Sequence, residues 1–129
     1  MSKPESEVQQ TIQIESMRHK CVLMRNNSGA FKDETGRLVR FGLGNLSSKQ
    51  QTKSSDLIGI TEVLITQEMV GQTLGVFTAI EVKEESWNAN KKLNEREEKQ
   101  NNFLLFVKSK GGIAGFAKSL DDLKEIFRR

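Results

Sequence analysis

Cysteine, histidine, proline and tryptophan each occur once in these 129 residues, and tyrosine is missing. The lone Cys21 excludes an internal disulfide, which suits a reducing compartment. The lone His19 excludes zinc sites built from two or more cysteines and histidines, and leaves histidine-based catalysis a single candidate. No apolar run approaches the roughly 18 residues of a membrane span. The opening residues Met1-Ser2-Lys3-Pro4-Glu5-Ser6-Glu7 lack a signal peptide's apolar segment, so a cytoplasmic protein is expected. There is no internal repeat, low-complexity tract or Pro-rich linker, and the length suits one domain over residues 1–129 with a modest core.

Charge, by contrast, is abundant: 20 Lys+Arg stand against 17 Asp+Glu, a net +3. Residues 1–55 carry +4, residues 56–101 carry −4 and residues 102–129 carry +3. An acidic middle between basic flanks suits a cation held in the centre and a polyanion gripped at the edges. Ordinary scatter over a solvated surface gives the same tally.

Ser6-Glu7-Val8-Gln9 has the form of a capping box, and Val8, Ile12 and Met17 give the helix it opens an apolar stripe. Residues 20–25 (KCVLMR) read as a short strand ended by the turn-forming Asn26-Asn27-Ser28-Gly29; residues 30–36 read as a loop or hairpin tip and 37–42 as a second strand. Residues 42–55 are rich in glycine and serine and read as an exposed loop. Asp56 heads the next strand, and Leu74–Lys83 is the most continuous apolar β segment, expected to be covered on both faces. Asn94-Glu95-Arg96-Glu97 opens a helix that should stop at Gly111-Gly112; Ile113–Ala117 follows as a strand, and Ser119 caps a last helix. The order predicts an α/β domain with a mixed central β-sheet flanked by helices, and a parallel strand–helix–strand crossover from 74 to 117.

The anomaly lies at the end of the Leu74–Lys83 strand. Residues two apart share a strand face, so Glu81 and Lys83 stand side by side while Val82 points away. Burying such groups is costly unless they are paired, hydrogen-bonded or metal-bound; a frayed, wet strand end would also accommodate them. If the strand headed by Asp56 lies beside this one, Asp56 and Glu81 supply two hard oxygen ligands suited to Mg²⁺. The rival role for Asp56 is an Asx cap of the preceding loop. Gln100, with Phe103/Leu104 and Val107, falls on the stripe of its helix that faces the sheet, and a polar group there needs a partner such as the Glu81–Lys83 end, or solvent at the rim.

The ordered set Ser55-Asp56-Leu57-Ile58-Gly59, Glu81-Val82-Lys83, Lys99-Gln100 and Gly111-Gly112-Ile113-Ala114-Gly115 resembles the VRR-NUC nucleases, a branch of the PD-(D/E)XK superfamily. The resemblance extends to Ser6–Gln9 and Arg25–Gly29, covers nearly the whole chain, and is nearest to short stand-alone phage and bacterial members; Ser55 stands where a proline is usual. It implies a restriction-endonuclease-like core and metal-dependent hydrolysis of DNA phosphodiesters, leaving 5′-phosphate and 3′-hydroxyl ends. Asp56, Glu81 and the backbone carbonyl of Val82 would hold Mg²⁺ or Mn²⁺, with Glu7 as a further carboxylate. Lys83 would orient the attacking water or offset transition-state charge, and Gln100 would hold Lys83 or the water in line. Branched DNA such as four-way junctions, cut by a homodimer, is the expected substrate. Arg25, Arg37, Arg40, Lys49 and Lys53 are the candidate phosphate contacts, although each suits a plain surface charge as well.

Other features point elsewhere with less force. His19 and Cys21 could share a strand face, but nothing near them supplies an oxyanion hole. Gly42-Leu43-Gly44 lacks the strand–helix context of a dinucleotide fingerprint. Trp87 could stack on a base or cover the neck of a loop. Two rival functions remain, a binding module of the same fold without cleavage and a structural α/β interaction protein.

Overall fold

The computed structural model describes residues 2–27, 29–41 and 55–128. They form a mixed α/β chain in the order α1 (Glu5–Ser16), β1 (Cys21–Arg25), β2 (Gly29–Lys32), β3 (Leu38–Phe41), β4 (Leu57–Thr61), β5 (Thr78–Val82), α2 (Glu95–Ser109), β6 (Ile113–Ala117) and α3 (Leu120–Phe127). Two compact units result, Met1–Thr61 and Glu62–Arg129. No helix of the described residues is long and apolar enough to cross a membrane.

In the first unit, α1 starts two residues earlier than the Ser6–Gln9 box implied. Pro4 is its N-cap, and its carbonyl accepts from the backbone N–H groups of Glu7 (3.0 Å) and Val8 (3.2 Å). Glu5 and Glu7 fill the first turn, where the helix dipole favours acids. A 3₁₀ turn over Met17–His19 and a left-handed Lys20 (φ 58) then reverse the chain into β1. That reversal keeps exposed His19 out of the strand that Cys21 begins, so the two share no strand face. Side chains join helix to strand, Gln13 Nε2 donating to Leu23 O at 3.2 Å and Ser16 Oγ to Cys21 O at 3.2 Å.

β1 pairs antiparallel with β4, and Leu23 stands opposite Gly59. A Cβ at position 59 would fall on the carbonyl oxygen of Val22, so the close approach of β1 demands glycine there. β2 and β3 form an antiparallel hairpin. Asp33 Oδ1 ties its tip together, accepting from Thr35 N (2.9 Å), Thr35 Oγ1 (2.6 Å) and Arg37 N (2.9 Å). Those bonds hold the Asp33 carboxyl below its usual range, the Thr35 hydroxyl contributing most. The loop expected over 42–55 lies almost wholly outside the described residues.

The second unit is built on the parallel pair β5–β6, joined through α2 as the crossover reading required. Asn94 caps α2 with a reciprocal box: its side chain accepts from Glu97 N (2.8 Å), and Glu97 Oε1 accepts from Asn94 N (3.1 Å). Leu104 and Val107 of α2 and Ala114 and Ala117 of β6 are its buried core. α3, capped by Ser119 Oγ accepting from Asp122 N at 3.1 Å, lies close enough that a Cβ on Gly115 would sit 2.8 Å from Ile126 Cδ1.

Two architectural expectations are corrected. The described strands make three two-stranded ladders, β1–β4, β2–β3 and β5–β6, where one mixed central sheet was expected. The strand headed by Asp56 takes β1 as its hydrogen-bonded neighbour. The apolar run from Leu74 also forms strand only over Thr78–Val82, and it is not covered on both faces. Leu74 and Val76 are exposed, and Val82 is 76% exposed. Apolar composition marked the stretch as able to be strand, but a strand exists only where a neighbour supplies its ladder, and β6 is five residues long.

Candidate active site at the end of β5

Glu81 and Lys83 stand at the C-terminal end of β5, on the face that Val82 leaves. The ladder explains their order. Ile113 N donates to Phe77 O and Lys83 N to Ala117 O, both at 2.9 Å, so alternate residues of β5 bond β6. Val82 is one residue out of phase and turns its carbonyl to the edge away from β6.

Over this strand end lies α2, and Gln100 on its inner stripe joins the two charges. Gln100 Nε2 donates to Glu81 Oε1 at 2.7 Å, while Lys83 Nζ donates to Gln100 Oε1 at 2.8 Å. One amide satisfies a carboxylate with its donor and an ammonium with its acceptor, a double role that a primary amide's N–H and C=O are suited to fill. Leu104 and Val107 seat the helix that carries it, at 4% and 0% exposure, whereas Phe103 is half in solvent.

Two residues that the sequence reading did not assign complete the cluster. Glu97 Oε2 stands 3.5 Å from Lys83 Nζ, with the two side chains 14% and 15% exposed. The same oxygen accepts from Trp87 Nε1 at 2.6 Å. The bonds from Asn94 N–H and the indole, then the nearby Lys83 charge, hold the Glu97 carboxyl below its ordinary range. Glu97 was findable, since it lies three residues before Gln100 and so on the same helix face. Trp87 carries no such spacing signal. It packs on Phe116 with ring centroids 5.1 Å apart, and Lys83 Nζ lies 5.8 Å from the Trp87 centroid and 5.5 Å from that of Phe116. Trp87 thus ties the loop that follows β5 to β6 and α2. A cavity of about 320 Å³ is lined by Glu97, Trp87, Asn88, Lys91, Lys92 and Asn94 among others.

The remaining expected site residues belong to the first unit. Asp56 is exposed at the head of β4, and its backbone carbonyl accepts from Asn26 N at 2.9 Å. Asn26 Nδ2 also donates to Ser55 O at 2.9 Å, so the turn after β1 anchors the entry to the Asp56 strand. Glu7 is exposed in the first turn of α1. Arg25 is exposed at the end of β1, and Arg37, 81% exposed, lies 3.9 Å from Asp33. Arg40 belongs to β3 opposite Ala30, and Lys49 and Lys53 lie outside the described residues.

Glu81, Glu97 and Lys83 together carry a net −1, and the carboxylate and carbonyl oxygens there are hard donors. Among the described residues no group of three or more His, Cys, Asp or Glu side chains gathers to hold a metal ion. Comparisons with protein-family models, curated proteins and solved structures find no match to this chain.

Proposed function

We propose that this chain is a divalent-metal-dependent DNA endonuclease of the VRR-NUC type with a restriction-endonuclease-like core. Its catalytic residues, as the resemblance implies them, would be Asp56, Glu81, Lys83 and Gln100, and branched DNA such as four-way junctions would be its substrate. The observation that carries the reading is the Glu81–Gln100–Lys83 bridge, in which a carboxylate and an ammonium are held 2.7 and 2.8 Å from the two ends of one amide. An incidental ion pair has no need of that intermediary.

Glu81 and the Val82 carbonyl would hold Mg²⁺ or Mn²⁺, and the resemblance implies Asp56 and Glu7 as further carboxylates. When bound, the ion polarises a phosphoryl oxygen and makes a water easier to deprotonate. Gln100 keeps Glu81 oriented by donating to one of its oxygens, so the carboxylate does not turn to pair directly with Lys83. Lys83 places a positive charge beside the phosphate that Glu81 alone would repel, and stabilises the charge that builds on the oxygens during attack. Arg25, Arg37, Arg40, Lys49 and Lys53 grip phosphates without reading sequence.

A homodimer would present two such sites to two strands. That dimer is what the resemblance implies.

The test incubates the protein with linear and four-way-junction DNA in Mg²⁺, Mn²⁺ or EDTA, beside Lys83→Ala and Asp56→Ala. Cleavage in metal, lost in EDTA and in both variants, supports the proposal. Binding without cleavage in any metal makes the chain a nucleic-acid-binding module, and neither binding nor cleavage makes it a structural protein.

A further inference from the structure

We propose that Trp87 and Glu97 are positioning residues that fix the ammonium of Lys83 against Gln100, acting through one shared carboxylate oxygen. The activity arm of this inference rests on the nuclease reading; its structural arm does not.

Lysine is a flexible chain with a point charge at its tip, so an active lysine must be held by its surroundings. Here the tip is held from several sides. Gln100 Oε1 accepts from it at 2.8 Å, Glu97 Oε2 stands 3.5 Å away, and the Trp87 and Phe116 rings lie 5.8 and 5.5 Å off. An unrestrained Glu97 would close on the ammonium. It is restrained at both oxygens: Oε1 accepts from the Asn94 N–H at 3.1 Å and Oε2 from the Trp87 indole at 2.6 Å. The indole is fixed in turn by its packing on Phe116, and its backbone carbonyl accepts from Lys118 Nζ at 2.9 Å.

The shorter bond to the indole therefore holds Glu97 Oε2 at 3.5 Å from Lys83, and the closer partner of Lys83 is the neutral amide. Without the indole N–H, Oε2 would turn its charge to Lys83, tighten that pair and draw the ammonium off Gln100. Chemistry would suffer while DNA affinity stayed unchanged.

Trp87 is the only tryptophan, so one indole N–H resonance reports on the network. Trp87→Phe keeps a ring on Phe116 and Glu97→Gln keeps an acceptor for one of the two donors, and the melting temperature checks that each variant folds. With junction DNA and Mg²⁺, each should slow single-turnover cleavage by about tenfold to a hundredfold and leave the DNA Kd within about twofold. Lys83→Met should move the indole resonance, whereas Asp121→Asn, exposed at the start of α3, should not. Variants that cleave at the wild-type rate on DNA the wild type cuts overturn the inference and leave the nuclease reading standing. If the wild type cuts nothing, the nuclease reading fails and the indole alone decides: a shift in Lys83→Met sustains the positioning network. An indole unmoved by Lys83→Met overturns the inference in either case.

Discussion

Lys83 and Glu81, two residues apart on β5, are joined through the side-chain amide of Gln100, which donates to Glu81 at 2.7 Å and accepts from Lys83 at 2.8 Å. The link crosses from strand to helix, so the charges at the strand end depend on how α2 sits.

Removing that link should cost both chemistry and stability. Gln100→Ala leaves a half-buried carboxylate and ammonium to find other partners, a loss of about 1–3 kcal/mol. Urea denaturation should show it as a lower midpoint with an unchanged slope, and metal-dependent cleavage should fall with it. A variant as stable and active as the wild type would reduce the bridge to an incidental contact.

Acid should act on Glu97 with a definite sign. Its folded carboxyl is held below the ordinary range by the Asn94 N–H and the indole, so its contribution is complete above the unfolded value of about 4.3 and is lost as pH falls through the lower folded value. Glu97→Gln should therefore be less stable than the wild type at pH 7, with the gap narrowing below about pH 4.3. Denaturation midpoints against pH, compared for the two proteins, measure it.

Gly115 should tolerate no branched side chain. A Cβ there meets Ile126 Cδ1 at 2.8 Å, so Gly115→Val should push α3 from β6 and destabilise by about 1–3 kcal/mol. Shortening Ile126 to alanine in the same chain should return part of that loss, and thermal denaturation of the pair of variants is the check.

Arg25 and Arg37 should bear on affinity and leave the chemistry alone. Replacing both with alanine should weaken binding equally across DNA sequences, and lower the slope of log K against log salt by about 0.9 for each phosphate no longer neutralised. Fluorescence anisotropy at several salt concentrations gives both quantities.

The proposed homodimer is tested by sedimentation, which should find a particle of two chains. A wild type that sediments as monomer at every concentration would remove the dimer from the proposed function.

Local chemistry was legible from the residues alone, because it is decided within a few positions. The Asn94–Glu97 capping box, the end of α2 before Gly111, the five-residue strand at Ile113–Ala117 and the Ser119 cap all stand where spacing placed them. Period-two alternation put Glu81 and Lys83 on one face, and the helical stripe put Gln100 opposite them. At Pro4 the same kind of reasoning slipped, since Ser6-x-x-Gln9 has the form of a box and the chain used the carbonyl of Pro4 instead. What the tertiary structure alone decided is pairing and reach. The sequence cannot say that Asp56 heads a strand bonded to β1, that only five residues of the long apolar run find a ladder, or that Trp87, from a loop, donates to Glu97. The physical reason is common to all three. Propensity and periodicity constrain each segment by itself, whereas a hydrogen bond between segments far apart in the chain exists only once the packing of both has chosen its geometry.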